Sequence, residues 1–137
     1  MTLGDPSARA RLVLWSPVVL ALAYEFYLSS QSSLPALPLS DILPNFDKAE
    51  HAVYFFLTGL LAVRAARYGE TWSSRGTAAI LLFGALVWGV LDEFHQSFVP
   101  GRSVEAGDVA ADVAGVLLAV LVGEHLWRLL RMDRVLR

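Results

Sequence analysis

The sequence predicts an all-α integral membrane bundle of four transmembrane helices with both termini in the cytoplasm. The 137 residues are 55% hydrophobic and 18% charged, with a mean hydropathy of +0.51, which is well above that of an ordinary soluble domain. Four apolar stretches are separated by short polar segments, and basic residues cluster in alternate segments. The sequence contains no cysteine, which excludes disulfides, thiolate catalysis and cysteine zinc sites.

The first helix is predicted at about 11–29, where an apolar run follows two arginines. A cleaved signal peptide is the rival interpretation of this run. No small-residue cleavage site follows it, so a retained anchor is favoured. Glu25, the only charged residue inside the run, is interpreted as a structural partner or an interfacial residue rather than as part of a site.

Three further helices are predicted at about 47–66, 76–97 and 108–128. A bilayer core of about 30 Å needs about 20 helical residues, but the uninterrupted apolar runs in the second and fourth helices cover only 52–63 and 113–122. These helices reach the required length only if flanking polar residues enter the membrane with them. Such residues are costly in a bilayer and are usually functional.

Basic residues predict the orientation of the chain. Nine of the eleven lysines and arginines flank helix ends on one side: Arg9, Arg11, Arg64, Arg67, Arg75, Arg128, Arg131, Arg134 and Arg137. Only Lys48 and Arg102 lie on the other side. The side rich in basic residues is expected to be the cytoplasm, so the chain is predicted to be a multi-pass plasma-membrane protein that forms one domain over 1–137.

Titratable residues are predicted to meet near the outer ends of three helices. Counting about 20 residues outward from the inner helix ends places Asp47 and Asp108 near the outer interface. One helical turn deeper, about 6 Å, lie His51, Asp92 and Asp112. Because exposure to hydrocarbon is costly, we expect His51, Asp92 and Asp112 to approach one another in one polar cluster that is open to the outer surface.

The candidate ligand-binding residues come from this cluster and from the turn after the third helix. They are Asp47, Lys48, His51, Asp92, Glu93, Gln96, Arg102, Asp108 and Asp112. Some have simpler alternatives: Asp47 and Asp108 fit helix N-caps. Glu93 fits a residue that faces headgroups, and Arg102 fits a residue that snorkels to phosphate. Their common depth on three helices is better explained by a shared site. Four glycines are expected to permit close helix contact: Gly59, Gly84, Gly89 and Gly115.

Two motifs open the second helix and end the third. The first is Asp47-Lys48 with His51 and Tyr54, and the second is Asp92-Glu93-x-x-Gln96-x-Phe98-x-Pro100-Gly101-Arg102, followed by Asp108, Asp112 and Gly115. Together they resemble the VanZ-like family of membrane proteins over about 47–123, and Phe26 with Leu28-Ser29-Ser30 is similar too. The resemblance implies a bacterial envelope protein, since the founding member is associated with teicoplanin resistance. The family usually has asparagine at the position of Asp112, so a neutral role is not carried over to that residue.

Two functions fit these residues. The first is an outer-leaflet binding protein for a lipid-linked envelope precursor or an amphiphilic, glycopeptide-type antibiotic, in which Arg102 and Lys48 hold phosphate or carboxylate. The second is an intramembrane hydrolase or transferase in which His51, Asp92 and Asp112 act as acid–base or metal-binding groups. The sequence has no established metal-ligand motif and no activated serine or cysteine arrangement, which favours the binding protein.

The expected partners are membrane lipid and an amphiphilic ligand, and not nucleic acid. The surplus of acids in the cluster requires protonation, a bound cation or a cationic ligand group. No cofactor is expected, with a divalent cation at the acids as the alternative. Arg102, which follows the Pro100-Gly101 turn, is expected to pair with Glu93, Asp108 or an anionic headgroup. An ion-coupled transporter is disfavoured, because four short helices carry no internal repeat.

Overall fold

The computed structural model describes residues 7–33, 44–70 and 72–130. Within these ranges the chain forms helices and no strand, so the all-α prediction is confirmed. The helices are α1 (Ala8–Ser29), α2 (Phe46–Arg64), α3 (Ser74–Gln96) and α4 (Ala106–Leu129), and a single π-helical turn, Ala65–Gly69, continues α2. Three of the basic residues that predict the orientation lie outside the described residues: Arg131, Arg134 and Arg137.

Side chains that precede the helices explain where α1 and α3 begin. The Ser7 hydroxyl accepts the Ala10 N–H at 3.2 Å, and the Ser73 hydroxyl accepts the Gly76 N–H at 3.1 Å. Each bond satisfies an N–H that has no partner inside its helix. Beyond the end of α3 the chain turns at Gly101, whose φ of +86° is readily adopted only by glycine. This turn brings the following arginine back towards α3.

Three of the helices have the length and apolar character of membrane spans. They are α1, α3 and α4, whose most apolar windows have mean hydropathies of 1.5, 1.6 and 1.8. Large apolar side chains such as Leu20, Phe83 and Leu121 point outward from them and are each 68% exposed. An outer surface of this kind suits lipid rather than water. The chain is therefore a membrane protein.

The helices α2 and α4 run in the same direction and pack along their whole length. Near their beginnings, Lys48 Nζ lies 2.7 Å from Asp108 Oδ1. Near their ends, Trp127 Nε1 donates to the Leu60 carbonyl oxygen at 2.8 Å. The pair forms the centre of the bundle, and buried residues such as Val63 lie between the two helices and their neighbours.

Glycines allow the backbones of α2 and α4 to approach closely. A Cβ on Gly115 would collide with the backbone of Ala52, and a Cβ on Gly59 would lie 2.7 Å from a side chain of α4. The prediction of close helix contact is confirmed for Gly59, Gly89 and Gly115. It is wrong for Gly84, where a Cβ would meet no atom within 4 Å, because this glycine faces a groove.

The helices α1 and α3 also run parallel to each other. At one end, Ser30 Oγ lies 3.0 Å from His95 Nε2, and the Phe26 ring lies against the His95 ring with centroids 4.3 Å apart. At the other end of α1, Trp15 Nε1 donates to Glu70 Oε1 at 3.1 Å. The ends of α1 and α3 therefore meet the beginnings of α2 and α4 at one end of the bundle, which we call the site end.

Candidate functional site

Polar residues from all four helices meet at the site end, although most of them are shielded from solvent. Those that are buried are Glu25, Ser29, Asp92, Glu93, Gln96, Asp108 and Asp112. Polar groups in such surroundings are costly unless hydrogen bonds or opposite charges compensate them. The partners of each group therefore indicate what it can do.

A histidine–carboxylate pair joins α2 to α4. His51 Nδ1 lies 2.9 Å from Asp112 Oδ1, and His51 Nε2 lies 3.9 Å from Asp108 Oδ2. Asp112 is 2% exposed, whereas His51 is partly exposed and lines a cavity. The predicted approach is found for His51 and Asp112, and Asp112 also lies against α3 within one turn of Asp92, since a Cβ on Gly89 would be 3.1 Å from Asp112 Oδ2. A carboxylate on Nδ1 fixes the ring orientation and leaves Nε2 on the side of Asp108.

Gln96 connects a second acid to an arginine. The Gln96 side chain is 1% exposed, and its Nε2 donates to Asp92 Oδ2 at 2.6 Å. Its Oε1 accepts two hydrogen bonds from Arg102, from Nε at 3.2 Å and from Nη2 at 3.0 Å. The glutamine thus orients the guanidinium group without neutralising its charge. Across the described ranges, Arg102 forms no ion pair with the expected Glu93 or Asp108, or with any other carboxylate.

Three simpler interpretations from the sequence are wrong. Glu93 does not face headgroups: it is 6% exposed, and its Oε2 accepts the backbone N–H of Glu105 at 2.5 Å. This bond ties the end of α3 to the beginning of α4. Neither Asp47 nor Asp108 is an N-cap, because Asn45 precedes α2 and Glu105 precedes α4.

Lys48 is surrounded by three carboxylates. Its Nζ lies 2.6 Å from Asp47 Oδ2, 2.6 Å from Glu105 Oε2 and 2.7 Å from Asp108 Oδ1. An ammonium group has three N–H donors, so all of them are used. The hydrogen bond from Lys48 also lowers the pKa of Glu105. Lys48 therefore has no donor left for a ligand, in contrast to the expectation that it would help to hold phosphate or carboxylate.

The same three acids have the geometry of a metal site. Single oxygens of Asp47, Glu105 and Asp108 lie within 4.8 Å of one another. The Lys48 ammonium group takes the position that a metal ion would need, since it lies 2.6–2.7 Å from all three. The alternative of a divalent cation at these acids thus competes with a lysine that already neutralises them.

A cavity of about 270 Å³ opens among these groups. Its lining residues come from α1, α2, the end of α3 and the turn beyond: Glu25, Leu28, Ser29, Asp47, Glu50, His51, Tyr54, Phe55, Gln96 and Arg102. Ser29 is 3% exposed, and its hydroxyl oxygen has no hydrogen-bond partner within the described ranges. A buried hydroxyl of this kind is costly unless something in the cavity bonds to it.

The contribution of α1 to this cavity was not predicted from the sequence. Glu25 has a structural partner, since Trp88 Nε1 donates to its Oε2 at 2.8 Å. It is also buried and lines the cavity. One signal was available: Glu25 interrupts an uncharged apolar run, and Ser29 follows it at the i+4 spacing that places both on one helix face.

Comparison with known protein families gives a match over most of the chain. A protein-family model described as VanZ/LLP1 matches residues 9–128. No curated protein and no solved structure matches the chain. The matched residues include all four helices almost completely, together with every residue of the site end.

Proposed function

The chain belongs to the VanZ/LLP1 family, and we propose that it binds the anionic headgroup of a lipid-linked envelope precursor at the outer face of the plasma membrane. The observation that carries this proposal is the guanidinium group of Arg102, which lines the cavity and has no carboxylate partner in the described part of the chain. We also propose that this binding contributes to envelope integrity or to resistance against amphiphilic glycopeptides.

An anionic headgroup fits the distribution of charge in the cavity. Lys48 is neutralised by three acids, and His51 is paired with Asp112, so Arg102 is the cation of the cavity lining that has no carboxylate partner in the described part of the chain. Arginine suits phosphate because its planar donors can form two parallel charge-assisted bonds. The Ser29 hydroxyl supplies a further donor, and the remaining acids in the lining would accept hydroxyl or ammonium donors of the same ligand.

We further propose that α2 is a fourth span and that the site end faces outward. The contacts show four helices that alternate in direction, and α2 has 19 residues, close to the length that a bilayer core requires. Its polar residues line the cavity or face α4, so they need not meet lipid. Nine of the eleven basic residues then lie on the cytoplasmic side.

Alkaline phosphatase fusions test this orientation. Fusions at Gln31 and Ser103 are expected to be active, because the enzyme folds only outside the cytoplasm. Alkaline phosphatase fusions at Gly69 and Arg137 are expected to be inactive. Green fluorescent protein fused at the same two positions is expected to be fluorescent. The reverse pattern would place the site end in the cytoplasm and would refute the proposed function.

The function is tested by the binding of dodecyl phosphate to the protein in phosphatidylcholine nanodiscs, followed by native mass spectrometry. We expect Arg102→Ala to weaken binding by about tenfold or more, as for the loss of a charge-assisted hydrogen bond. Arg102→Lys is expected to weaken it nearly as much, because an ammonium group cannot reproduce the planar donor pair. The matched control is Arg128→Ala. Arg128 forms an ion pair with Glu124 at the end of the bundle opposite the site end, and its side chain is 69% exposed. An affinity of Arg102→Lys for dodecyl phosphate equal to that of the wild type would contradict the proposal.

The geometry of His51 favours a second candidate, an intramembrane enzyme. His51 lines the cavity, and Asp112 orients its imidazole ring through Nδ1, an arrangement suited to a general base. The same nanodisc samples distinguish the two functions. Retention of dodecyl phosphate without release of inorganic phosphate supports the binding protein. Release that is abolished by His51→Gln would assign catalysis, and elemental analysis of the active sample would then identify a metal requirement.

A further inference from the structure

An apolar groove of about 330 Å³ lies between α1 and α3, next to the polar cavity. We propose that it holds the hydrocarbon chain of the same anionic amphiphile whose headgroup binds at Arg102, an inference that rests on the proposed function. The groove would make the ligand a chain-bearing phosphate rather than a soluble anion. Its walls include Trp15, Val18 and Leu22 of α1 and Ile80, Gly84 and Trp88 of α3.

The cavity and the groove share a boundary. Phe55 of α2 lines both spaces. Trp88 lines the groove, and its Nε1 donates to Glu25, which lines the cavity. A ligand that occupied both spaces would therefore pass Phe55 and the Glu25–Trp88 hydrogen bond, where the lining changes from polar to apolar.

The groove runs in the direction that a lipid chain takes. From Trp15 to Leu22 it follows about two turns of α1, or about 10 Å along the helix axis. Since α1 is a candidate membrane span, this direction leads from the site end into the bilayer core. Near one end of α1, Ser30 contacts His95 of α3, and near the other end Trp15 contacts Trp72, which lies just before α3. The groove between α1 and α3 therefore opens between these two contacts.

The adjoining cavity favours one occupant of the groove. A hydrocarbon chain that carries an anion can place its charge at Arg102, which has no carboxylate partner in the described part of the chain, while its apolar part lies along the groove. An uncharged apolar molecule would fill the groove but would leave the charge of Arg102 uncompensated.

Gly84 provides a way to block the groove. It lines the groove, and a Cβ at this position would meet no atom within 4 Å. Leucine can therefore enter the empty space without displacing the bundle, and it favours helix more strongly than glycine does. Ala79→Leu is the matched control, because Ala79 is an exposed residue of α3 outside the groove.

The test uses dodecyl phosphate with a photoreactive diazirine in the middle of its chain, bound to the protein in phosphatidylcholine nanodiscs. After illumination, peptide mapping is expected to find adducts on groove residues rather than on outward-facing residues such as Leu86, which is 47% exposed. Gly84→Leu is expected to reduce groove adducts at least fivefold, whereas Ala79→Leu should label like the wild type. Phosphorus NMR of butyl phosphate, which lacks a long chain, is expected to show equal Arg102-dependent binding in all three proteins.

The possible failures are distinguishable. Adducts spread over the outward face, or groove labelling unchanged in Gly84→Leu, would show that the chain stays in bulk lipid and would overturn the inference. Arg102-dependent binding of butyl phosphate would still support the headgroup site in that case. If the binding of butyl phosphate did not depend on Arg102 in the wild type, in Gly84→Leu or in Ala79→Leu, the proposed function itself would be refuted. Cross-linked dimers joined through groove residues would assign the groove to a second copy of the chain and would also overturn the inference.

Discussion

Gly115→Ala is expected to destabilise the bundle more than any other single methyl addition among its described glycines. The new Cβ would overlap the Ala52 carbonyl oxygen and lie 2.8 Å from the Phe56 nitrogen. Both atoms belong to the α2 backbone, so no flexible side chain can move aside. Overpacking commonly costs about 1–3 kcal/mol, and we expect a loss at or above the upper end of that range.

The functional site is expected to fail together with the packing. Separation of α2 from α4 would lengthen the His51–Asp112 contact of 2.9 Å and the Lys48–Asp108 contact of 2.7 Å. Unfolding by sodium dodecyl sulfate in mixed micelles, followed by circular dichroism, measures the effect. The matched control is Gly84→Ala, which should be neutral or stabilising by up to about 1 kcal/mol, because alanine favours helix and no atom opposes it. Equal stability of the two variants would refute the packing of α2 against α4.

The shared level of His51 and Asp112 along the bundle could be predicted from the sequence, because the count along each helix depends only on helix rise. The same count placed His51 and Asp112 at one level, and the structure has them in contact at 2.9 Å. The partners of Lys48 and Arg102 could not be predicted in this way. Both side chains are long, and Arg102 follows a turn, so small changes in backbone direction exchange one partner for another.

Hydropathy identifies three of the four helices as candidate membrane spans and does not identify α2. The runs of α1, α3 and α4 are apolar enough to be recognised as spans from composition. By contrast, α2 carries Asp47, Lys48, Glu50 and His51 in its first two turns, and these residues line the cavity or pair with α4. Polar residues that serve a site lower the hydropathy of a helix, so composition alone does not identify α2 as a span.

The glycines show a further limit of sequence reasoning. Gly115 and Gly84 both interrupt apolar helices, and both were predicted to allow close helix contact. One touches the α2 backbone, whereas the other faces an open groove. The absence of a side chain permits either outcome, and only the position of the neighbouring helix decides between them. Glu25 is a similar case, since a tryptophan partner and a place in the cavity lining are equally compatible with one acid in an apolar run.

Lys48→Met is expected to destabilise the site end and to make its stability depend on calcium. The substitution keeps an unbranched apolar stem but removes the cation from between Asp47, Glu105 and Asp108. Asp108, whose side chain is only 10% exposed, then loses a charge-assisted bond, at a cost of about 1–3 kcal/mol. Repulsion among the three carboxylates adds to this loss, and the pKa of Glu105 should rise from the value that the Lys48 hydrogen bond holds down.

Calcium should restore much of the lost stability, because it can replace the missing ammonium group. The three carboxylate oxygens converge within 4.8 Å of one another, and calcium binds oxygen ligands at about 2.3–2.6 Å. Thermal unfolding of nanodisc samples with and without millimolar calcium measures this exchange. The wild type should respond little, because Lys48 already holds the position. Arg128→Met, which removes the exposed cation of an i,i+4 ion pair with Glu124, should cost less than about 0.5 kcal/mol and show no calcium response. A Lys48→Met protein as stable as the wild type in calcium-free buffer would mean that the lysine does not hold the three acids together.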